Sequence, residues 1–210
     1  MIRLLIAFAL AVVMAGCATN KLVRITASLE PGSSDKTGIV FGSIGVGPSS
    51  EFDSQVFNFR ETGGKDSGAI VFKNYFMARP PLDFRDDRSQ GAVFFARLLP
   101  GDYEITGAPF YVGRGQFSYW IYSRHKFSIP FRVKEGHATY LGEFLAGTEK
   151  ARNLFGIPIP ATGYFVVSDR YERDFAILRT KEGVGELANP EKAVIDVKAI
   201  DNPFFRAGAP

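Results

Sequence analysis

Apolar and polar residues alternate with a period of two along most of this 210-residue chain. Such alternation is typical of β-strands with one buried face. The alternating segments are short and recur at intervals of roughly 8–12 residues, with Gly, Pro, Asp and Ser between them. The pattern predicts an all-β fold, an antiparallel β-sandwich of prealbumin or immunoglobulin type, with a closed barrel as the main alternative. The predicted strands are 22–29, 39–46, 56–60, 69–75, two strands on either side of residues 100–102, and 116–123, 126–134, 138–145 and 194–200.

Turn residues predict how several of these strands connect. Thr62-Gly63-Gly64-Lys65 separates two β-rich runs, and Gly-Gly supplies the positive φ of a tight turn, so these runs should form a hairpin. Glu135-Gly136 should join the strands 126–134 and 138–145. Residues 77–91 hold two prolines and a charge cluster, which predicts a loop.

One segment departs clearly from the period of two. Tyr171, Phe175 and Leu178 follow the i, i+4, i+7 spacing of a helix, and Asp169 with Glu172 resembles a capping box. This predicts one short C-terminal helix at about 170–180. Residues 148–155 are compatible with a second helical turn.

The amino-terminal sixteen residues have the layout of an export signal. Arg3 precedes an apolar stretch from Leu4 to Ala15. A transmembrane helix needs about 20 apolar residues, so this stretch is too short for one and fits the central region of a cleaved signal.

The single cysteine of the chain, Cys17, follows directly after Met14-Ala15-Gly16. This sequence resembles the lipobox of bacterial lipoproteins, which implies attachment of diacylglycerol to Cys17, cleavage before it and acylation of the new amino terminus. The alternative is a secreted protein with a core cysteine. Ala18 replaces the aspartate of an inner-membrane retention signal, which favours the outer membrane. We therefore expect a periplasm-facing, lipid-anchored protein with residues 17–21 as a short tether.

Composition supports a strand-rich domain without disulfides. The chain has 20 Phe, 8 Tyr, 22 Gly and 12 Pro, which favours short strands separated by turns. Its length allows one large or two small domains, and we expect a single domain over residues 22–206, with 207–210 as a frayed tail. The net charge is only +3 and the basic residues are scattered, so nucleic acid is not an expected partner.

Three segments carry a resemblance to a known type of protein. They are "LLPGDYEI" at 98–105, "FSIPFRVKEGHATYLGEF" at 127–144 and "GYFVVSDRYERDFAIL" at 163–178. Together they resemble uncharacterised Gram-negative lipoproteins with a prealbumin-like or carboxypeptidase-regulatory-like sandwich. The shared motifs are turns and strand ends, so the resemblance implies a fold and a compartment but no active-site residues.

Catalytic motifs do not emerge from the sequence. It has no Gly-x-Ser-x-Gly elbow, and its only thiol is the expected lipid attachment point. "GSIGVG" at 42–47 lacks the spacing of a nucleotide-binding loop and is better explained by a flat strand that passes close to another backbone. We expect a non-catalytic protein without a cofactor.

Metal-binding patterns are equally weak. His125 and His137 could approach each other if their strands pair, with Glu135 or Glu143 as a further ligand, but exposed turn histidines are the simpler interpretation. The acidic residues of the 77–91 loop do not have calcium-loop spacing and alternate with arginines, which predicts a self-paired, solvated loop. We expect no metal site.

The aromatic segment 113–127 is the best candidate for a contact site. Alternation puts Trp120 and Tyr122 on the strand face opposite to Phe117, Tyr119 and Ile121. A central strand buried on both sides would explain this pattern. The alternative is an exposed face that stacks on a sugar or docks a partner, in which the contact residues would be Phe117, Tyr119, Trp120, Tyr122, Arg114 and Arg124.

The sequence therefore predicts a non-catalytic structural or protein-interaction module anchored at the outer membrane. The alternative function is binding of a glycan or small ligand through residues 113–127. An enzyme is the third and weakest hypothesis.

Overall fold

The computed structural model describes residues 22–27, 29–32, 35–64, 67–75, 79–114, 117–184 and 190–208, and it excludes the side chains of Arg114 and Phe117. Within these ranges the chain forms two seven-stranded sheets, which we call sheet I and sheet II, and two short helices. Sheet I contains β1 (Val23–Ile25), β3 (Ser54–Glu61), β4 (Ser67–Lys73), β7 (Gly101–Gly107), β8 (Phe110–Arg114), β9 (Phe117–Ile121) and β10 (Ile129–Val133). Sheet II contains β2 (Gly38–Val46), β5 (Phe84–Arg85), β6 (Gln90–Leu98), β11 (Ala138–Arg152), β12 (Pro158–Ser168), β13 (Pro190–Lys192) and β14 (Phe205–Ala207). The predicted all-β sandwich is confirmed.

Strand direction differs between the two sheets. Sheet I is antiparallel in every pairing, in the order β1-β4-β3-β7-β10, with β8 and β9 continuing from β3. In sheet II, β11 runs parallel to β2 and β13, and β12 runs parallel to β14. These three pairs depart from the antiparallel arrangement predicted for the sandwich. Parallel neighbours need a long crossover connection. The crossover between β2 and β11 is the segment of the chain that forms most of sheet I.

The main core lies between the sheets and is rich in phenylalanine. Phe57 of sheet I contacts Phe144 and Phe165 of sheet II, at ring-centroid distances of 4.7 and 4.4 Å. Phe110 lies 4.7 Å from Phe165, and all four rings are fully buried. The high phenylalanine content thus fills the space between the inward faces of the two sheets.

Sheet II is covered on its outer face as well. The helix α1 (Tyr171–Leu178) packs there, with Leu178 fully buried and the Phe175 ring 6.1 Å from Phe41. Every residue of β2 is consequently buried. The predicted helix is confirmed, although its N-cap residue Arg170 makes no side-chain capping bond.

The "GSIGVG" segment consists of the last five residues of β2 and Gly47, and it runs close to its neighbours. A Cβ atom at Gly45 would be 2.2 Å from the carbonyl oxygen of Gln90, and one at Gly42 would be 2.6 Å from that of Gly142. The interpretation as a flat strand in close backbone contact is confirmed.

The predicted hairpin across residues 62–65 is also confirmed. Val56 pairs with Val71 in the β3–β4 ladder, and Gly63 has a φ of +76° in the turn. The 77–91 loop contains the two-residue strand β5 and the start of β6.

Four local expectations are wrong. Residues 148–152 continue β11 instead of forming a helical turn, and the last alternating segment becomes a second helix, α2 (Val197–Ile200). The first strand stops at Ile25 rather than residue 29. The turn at 135–136 connects β10 of sheet I to β11 of sheet II, so these two strands do not pair. Local alternation is the same whether successive strands share a sheet or cross between sheets.

Candidate ligand-binding groove

The β8–β9 hairpin is an extension of sheet I beyond its central strands. β8 pairs with β3 only at Ser54 and Gln55, the first two residues of β3. Among the described strands, β9 pairs with β8 alone, so it is an edge strand. A strand of an antiparallel sandwich can have one face towards the core and the other towards solvent.

Trp120 and Tyr122 occupy that exposed face. Their exposed fractions are 45% and 64%, and their ring centroids are 6.4 Å apart. Tyr111 of β8 supports the Trp120 ring at 5.0 Å. Ile121, between the two, packs against the core. The interpretation of this segment as a central strand buried on both faces is wrong.

Tyr119 has a positioning contact with the other sheet. Its hydroxyl donates a hydrogen bond of 3.1 Å to the carbonyl oxygen of Pro160 in β12. The bond ties β9 of sheet I to β12 of sheet II.

This groove begins beside Tyr122 and has a volume of about 480 Å³. Arg124 and His125, which follow β9, are exposed along it. On the opposite side Glu149 of β11 forms an ion pair with Arg206 of β14, and the Arg206 guanidinium lies 3.7 Å from the centre of the Tyr164 ring. The groove therefore presents charges of both signs.

A buried amide holds the loop that forms one wall. Asn202 donates hydrogen bonds to the Ser123 hydroxyl at 3.1 Å and to the His125 carbonyl oxygen at 3.3 Å. Asn202 itself is buried. Because these bonds fix residues 123–125, Arg124 projects from a defined backbone.

The arrangement combines an aromatic face with hydrogen-bonding groups at its border. Trp120 and Tyr122 offer flat apolar rings, and Arg124, Arg206 and Glu149 offer donors and acceptors. A sugar ring has an apolar face of C–H groups and a border of hydroxyls, so the two surfaces are chemically complementary.

The side chains of three predicted site residues lie outside the described part of the structure. Cys17 lies outside the described residues, and the described parts of Arg114 and Phe117 are their backbones, which pair with each other at the end of the β8–β9 hairpin.

The possible histidine site does not assemble. His125 follows β9 of sheet I, whereas His137 precedes β11 of sheet II, so their strands do not pair as that hypothesis required. Glu135 forms an ion pair with Lys36 instead. Among the described residues no cluster of three or more His, Cys, Asp or Glu side chains could hold a metal ion.

The acidic loop pairs with itself at Asp86, as predicted. Its carboxylate accepts hydrogen bonds of 2.7 Å from the backbone N–H groups of Arg88 and Ser89. These bonds hold the pKa of Asp86 below its ordinary value. Asp83 differs, because it pairs with Lys181 near the end of α1 at 2.8 Å.

A buried charged cluster between α1 and sheet II was not predicted. Asp174 is fully buried and accepts hydrogen bonds from the Ser43 hydroxyl at 2.6 Å and the Tyr140 hydroxyl at 2.9 Å. Arg173 donates to Asp174 at 2.7 Å and to Glu143 at 2.8 Å. The signal in the sequence was a serine and a glutamate inside the apolar strands β2 and β11.

Burial controls the protonation of this cluster. Desolvation raises the pKa of Asp174 and of Glu143. Arg173 opposes this rise at both carboxylates, and the Ser43 and Tyr140 hydroxyls also oppose it at Asp174. Desolvation and the Asp174 charge also raise the pKa of Tyr140. The Arg173 guanidinium stacks on Phe84 at 3.7 Å from the ring centre. With each carboxylate occupied, the cluster acts as a polar clamp that fixes α1 on the sheet.

Comparison with known proteins adds no assignment: no family model, curated protein or solved structure matches the chain. In the described part of the chain, no helix combines the length and the apolar character that crossing a membrane requires.

Proposed function

We propose that this protein is a non-catalytic binding module of the Gram-negative envelope that recognises a glycan through Trp120, Tyr122 and the adjoining groove. The observation that carries the proposal is the exposure of these two neighbouring rings, of which Tyr122 lines a groove together with Arg124, Arg206 and Glu149. Exposure of an aromatic pair to water is unfavourable, so a pair of this kind marks a site that a ligand covers.

The proposed location is the periplasmic side of the outer membrane, with Cys17 as the acylated residue. The support is the export signal, the lipobox-like sequence before Cys17 and the absence of a retention aspartate at position 18. Replacement Cys17→Ser should abolish acylation and move the protein out of the outer-membrane fraction. Intact mass and membrane fractionation test this; a wild-type protein that is soluble and has the unacylated mass would contradict the anchor.

The non-catalytic part of the proposal is supported by the state of the buried carboxylates. Asp174 and Glu143 are occupied by Arg173 and nearby hydroxyls, and both lie between α1 and sheet II, away from the groove. The groove itself holds one ion-paired carboxylate, Glu149.

The glycan proposal can be tested with the fluorescence of Trp120, the only tryptophan of the chain. Soluble peptidoglycan fragments and lipopolysaccharide-derived oligosaccharides serve as probes. We expect binding to change the Trp120 emission, and Tyr122→Ala to weaken binding about tenfold because one stacking partner is lost.

Tyr75→Ala is the matched control, since Tyr75 is comparably exposed at 40% but follows β4, and it should leave binding unchanged. Emission that stays constant with every probe, together with failure to co-sediment with intact peptidoglycan, would refute glycan binding at this face.

A further inference from the structure

The β11–β12 hairpin projects from one end of the sandwich. The last β11 residue that pairs with β2 is Ala146, opposite Val46. β11 and β12 continue to pair with each other as far as Arg152 and Pro158. Six further residues at about 3.3 Å each carry the tip about 20 Å beyond this point. We call this end, where β2 finishes and β3 begins, the hairpin end.

The tip of this hairpin is apolar, exposed and held in shape. Leu154 is 101% exposed and Phe155 is 86% exposed. The Asn153 side chain accepts hydrogen bonds from the N–H groups of Phe155 and Ile157, and Gly156 adopts a φ of +75°. Arg152 donates to the Gly156 carbonyl oxygen at 2.8 Å. The turn therefore presents its two large apolar side chains outward from a fixed backbone.

Exposed apolar side chains are concentrated at or near the hairpin end. Tyr75 follows β4 where that strand finishes there, and the β8–β9 hairpin extends past the start of β3 at the same end. The exposed large hydrophobic residues of the described chain are Tyr75, Tyr119, Trp120, Tyr122, Leu154, Phe155, Ile157 and Ile159.

The opposite end of the sandwich is polar. Its loops carry the ion pairs of Lys36 with Glu135 at 3.0 Å and of Lys134 with Glu191 at 2.7 Å. Exposed large apolar side chains that gather at one end of a domain mark an interaction or membrane site.

The N-terminal chain reaches the domain at the hairpin end. The Leu22 carbonyl oxygen accepts a hydrogen bond from Val71, close to the end of β4 where Lys73 pairs with Ser54. β1 then runs away from this end, towards Ser67. Residues that precede Leu22, including Cys17, are thus joined to the end that bears the exposed hairpins.

Cations accompany these apolar side chains. Residues 150–160 contain Lys150 and Arg152 and no acidic residue, and Lys150 forms an ion pair with Glu51. Where the chain enters β1, Arg24, Lys73 and Arg79 line one shallow groove. Apolar tips flanked by Lys and Arg are suited to the boundary between acyl chains and anionic headgroups.

We infer that the hairpin end lies on a phospholipid surface and that Leu154 and Phe155 insert at the boundary between headgroups and acyl chains. This contact between the protein and the membrane is additional to the proposed lipid anchor. The inference rests on that anchor in one respect only, the direction of the N-terminal chain. It would fix the orientation of the domain, because a lipid at Cys17 alone allows the domain to rotate about its short tether.

The test uses the intact acylated protein in vesicles of phosphatidylethanolamine and phosphatidylglycerol with brominated acyl chains. Trp120→Phe removes the only native tryptophan, and Phe155→Trp places a new one at the tip. We expect bromine to quench at least about half of its emission, since interfacial insertion brings the ring into contact with the acyl chains. The matched control, Trp120→Phe with Thr62→Trp at the polar end, should not be quenched.

Equal emission from the two tryptophans in brominated vesicles would overturn the inference. Emission that depends on the protein-to-lipid ratio but not on bromine would also overturn it, by showing that a second copy of the chain covers the tip. The intact mass of each preparation reports acylation at Cys17 independently, so failure of the anchor and failure of tip insertion are distinguishable. Leu154→Ser in the Phe155→Trp protein should reduce the quenching, and its far-ultraviolet circular dichroism verifies the fold.

Discussion

Removal of the Asp174 carboxylate should destabilise the protein by roughly 3 kcal/mol. In Asp174→Ala, Arg173 loses one of its two carboxylate partners, and the hydroxyls of Ser43 and Tyr140 lose their acceptor. Breaking a buried ion pair from one side costs about 3–5 kcal/mol. The lower end applies here, because Arg173 keeps Glu143 at 2.8 Å and its side chain is 30% exposed.

The near-isosteric change Asp174→Asn separates charge from packing. The amide keeps one oxygen for Arg173 and turns its NH₂ group towards Ser43 and Tyr140, so part of the network survives. We expect a loss of about 1–2 kcal/mol, which is the range for one or two impaired buried hydrogen bonds.

Urea unfolding followed by circular dichroism measures both losses. Glu172→Gln is the control, because it removes a carboxylate from the exposed face of the same helix and should change stability by less than about 0.5 kcal/mol. If Asp174→Ala unfolds at the same urea concentration and with the same slope as Glu172→Gln, the cluster does not clamp the helix and the reasoning is refuted.

The difference in stability between the wild-type protein and Asp174→Asn should change with pH in a definite direction. Burial raises the pKa of Asp174 above the ordinary value of 3.8 that the unfolded chain retains. As the pH falls through the raised pKa towards 3.8, the folded state takes up a proton that the unfolded state does not, and this stabilises the fold. Asp174→Asn cannot take up that proton. The stability advantage of the wild-type protein should therefore widen on acidification through this window, and a narrowing would contradict the assigned pKa direction.

Three further substitutions test the fold by unfolding in urea. In Gly163→Ala the new Cβ would lie 2.5 Å from the buried Phe110 ring and 2.8 Å from Phe52. Overpacking should therefore lower the free energy of unfolding by about 1–3 kcal/mol. An unchanged free energy of unfolding would mean that the rings can move. Gly63→Ala meets no atom within 4 Å but adopts a φ of +76°, so backbone strain alone should cost about 1–2 kcal/mol; a greater loss than that of Gly163→Ala would reverse the expected order. Tyr140→Phe removes the hydroxyl that donates to Asp174 and accepts from the Arg170 N–H at 3.1 Å, so it should cost about 1–2 kcal/mol, and an unchanged midpoint would show that Asp174 is satisfied without it.

Local chemistry determined much of the fold in advance. The period-two alternation and the turn residues predicted the strand-rich architecture, the β3–β4 hairpin and its glycine turn, because backbone sterics and one-sided burial act within a few residues. The i, i+4, i+7 spacing of Tyr171, Phe175 and Leu178 predicted α1 for the same reason.

The tertiary structure alone decided which strands pair and which side chains meet. Alternation does not encode strand direction, so the parallel pairing of β11 with β2 and the crossing between sheets at residues 135–136 were not visible in the sequence. The aromatic residues of segment 113–127 were predicted as a candidate contact face, but their exposure depends on which face of β9 packs on the core, and that is the face of Ile121.

The Asp174 cluster and the shared position of the exposed hairpins arise from contacts between residues far apart in the chain, such as Ser43 and Asp174. Short-range sterics and hydropathy are properties of neighbouring residues and can be read from the sequence, whereas pairing, burial of a given charge and the meeting of distant surfaces depend on how the whole chain packs.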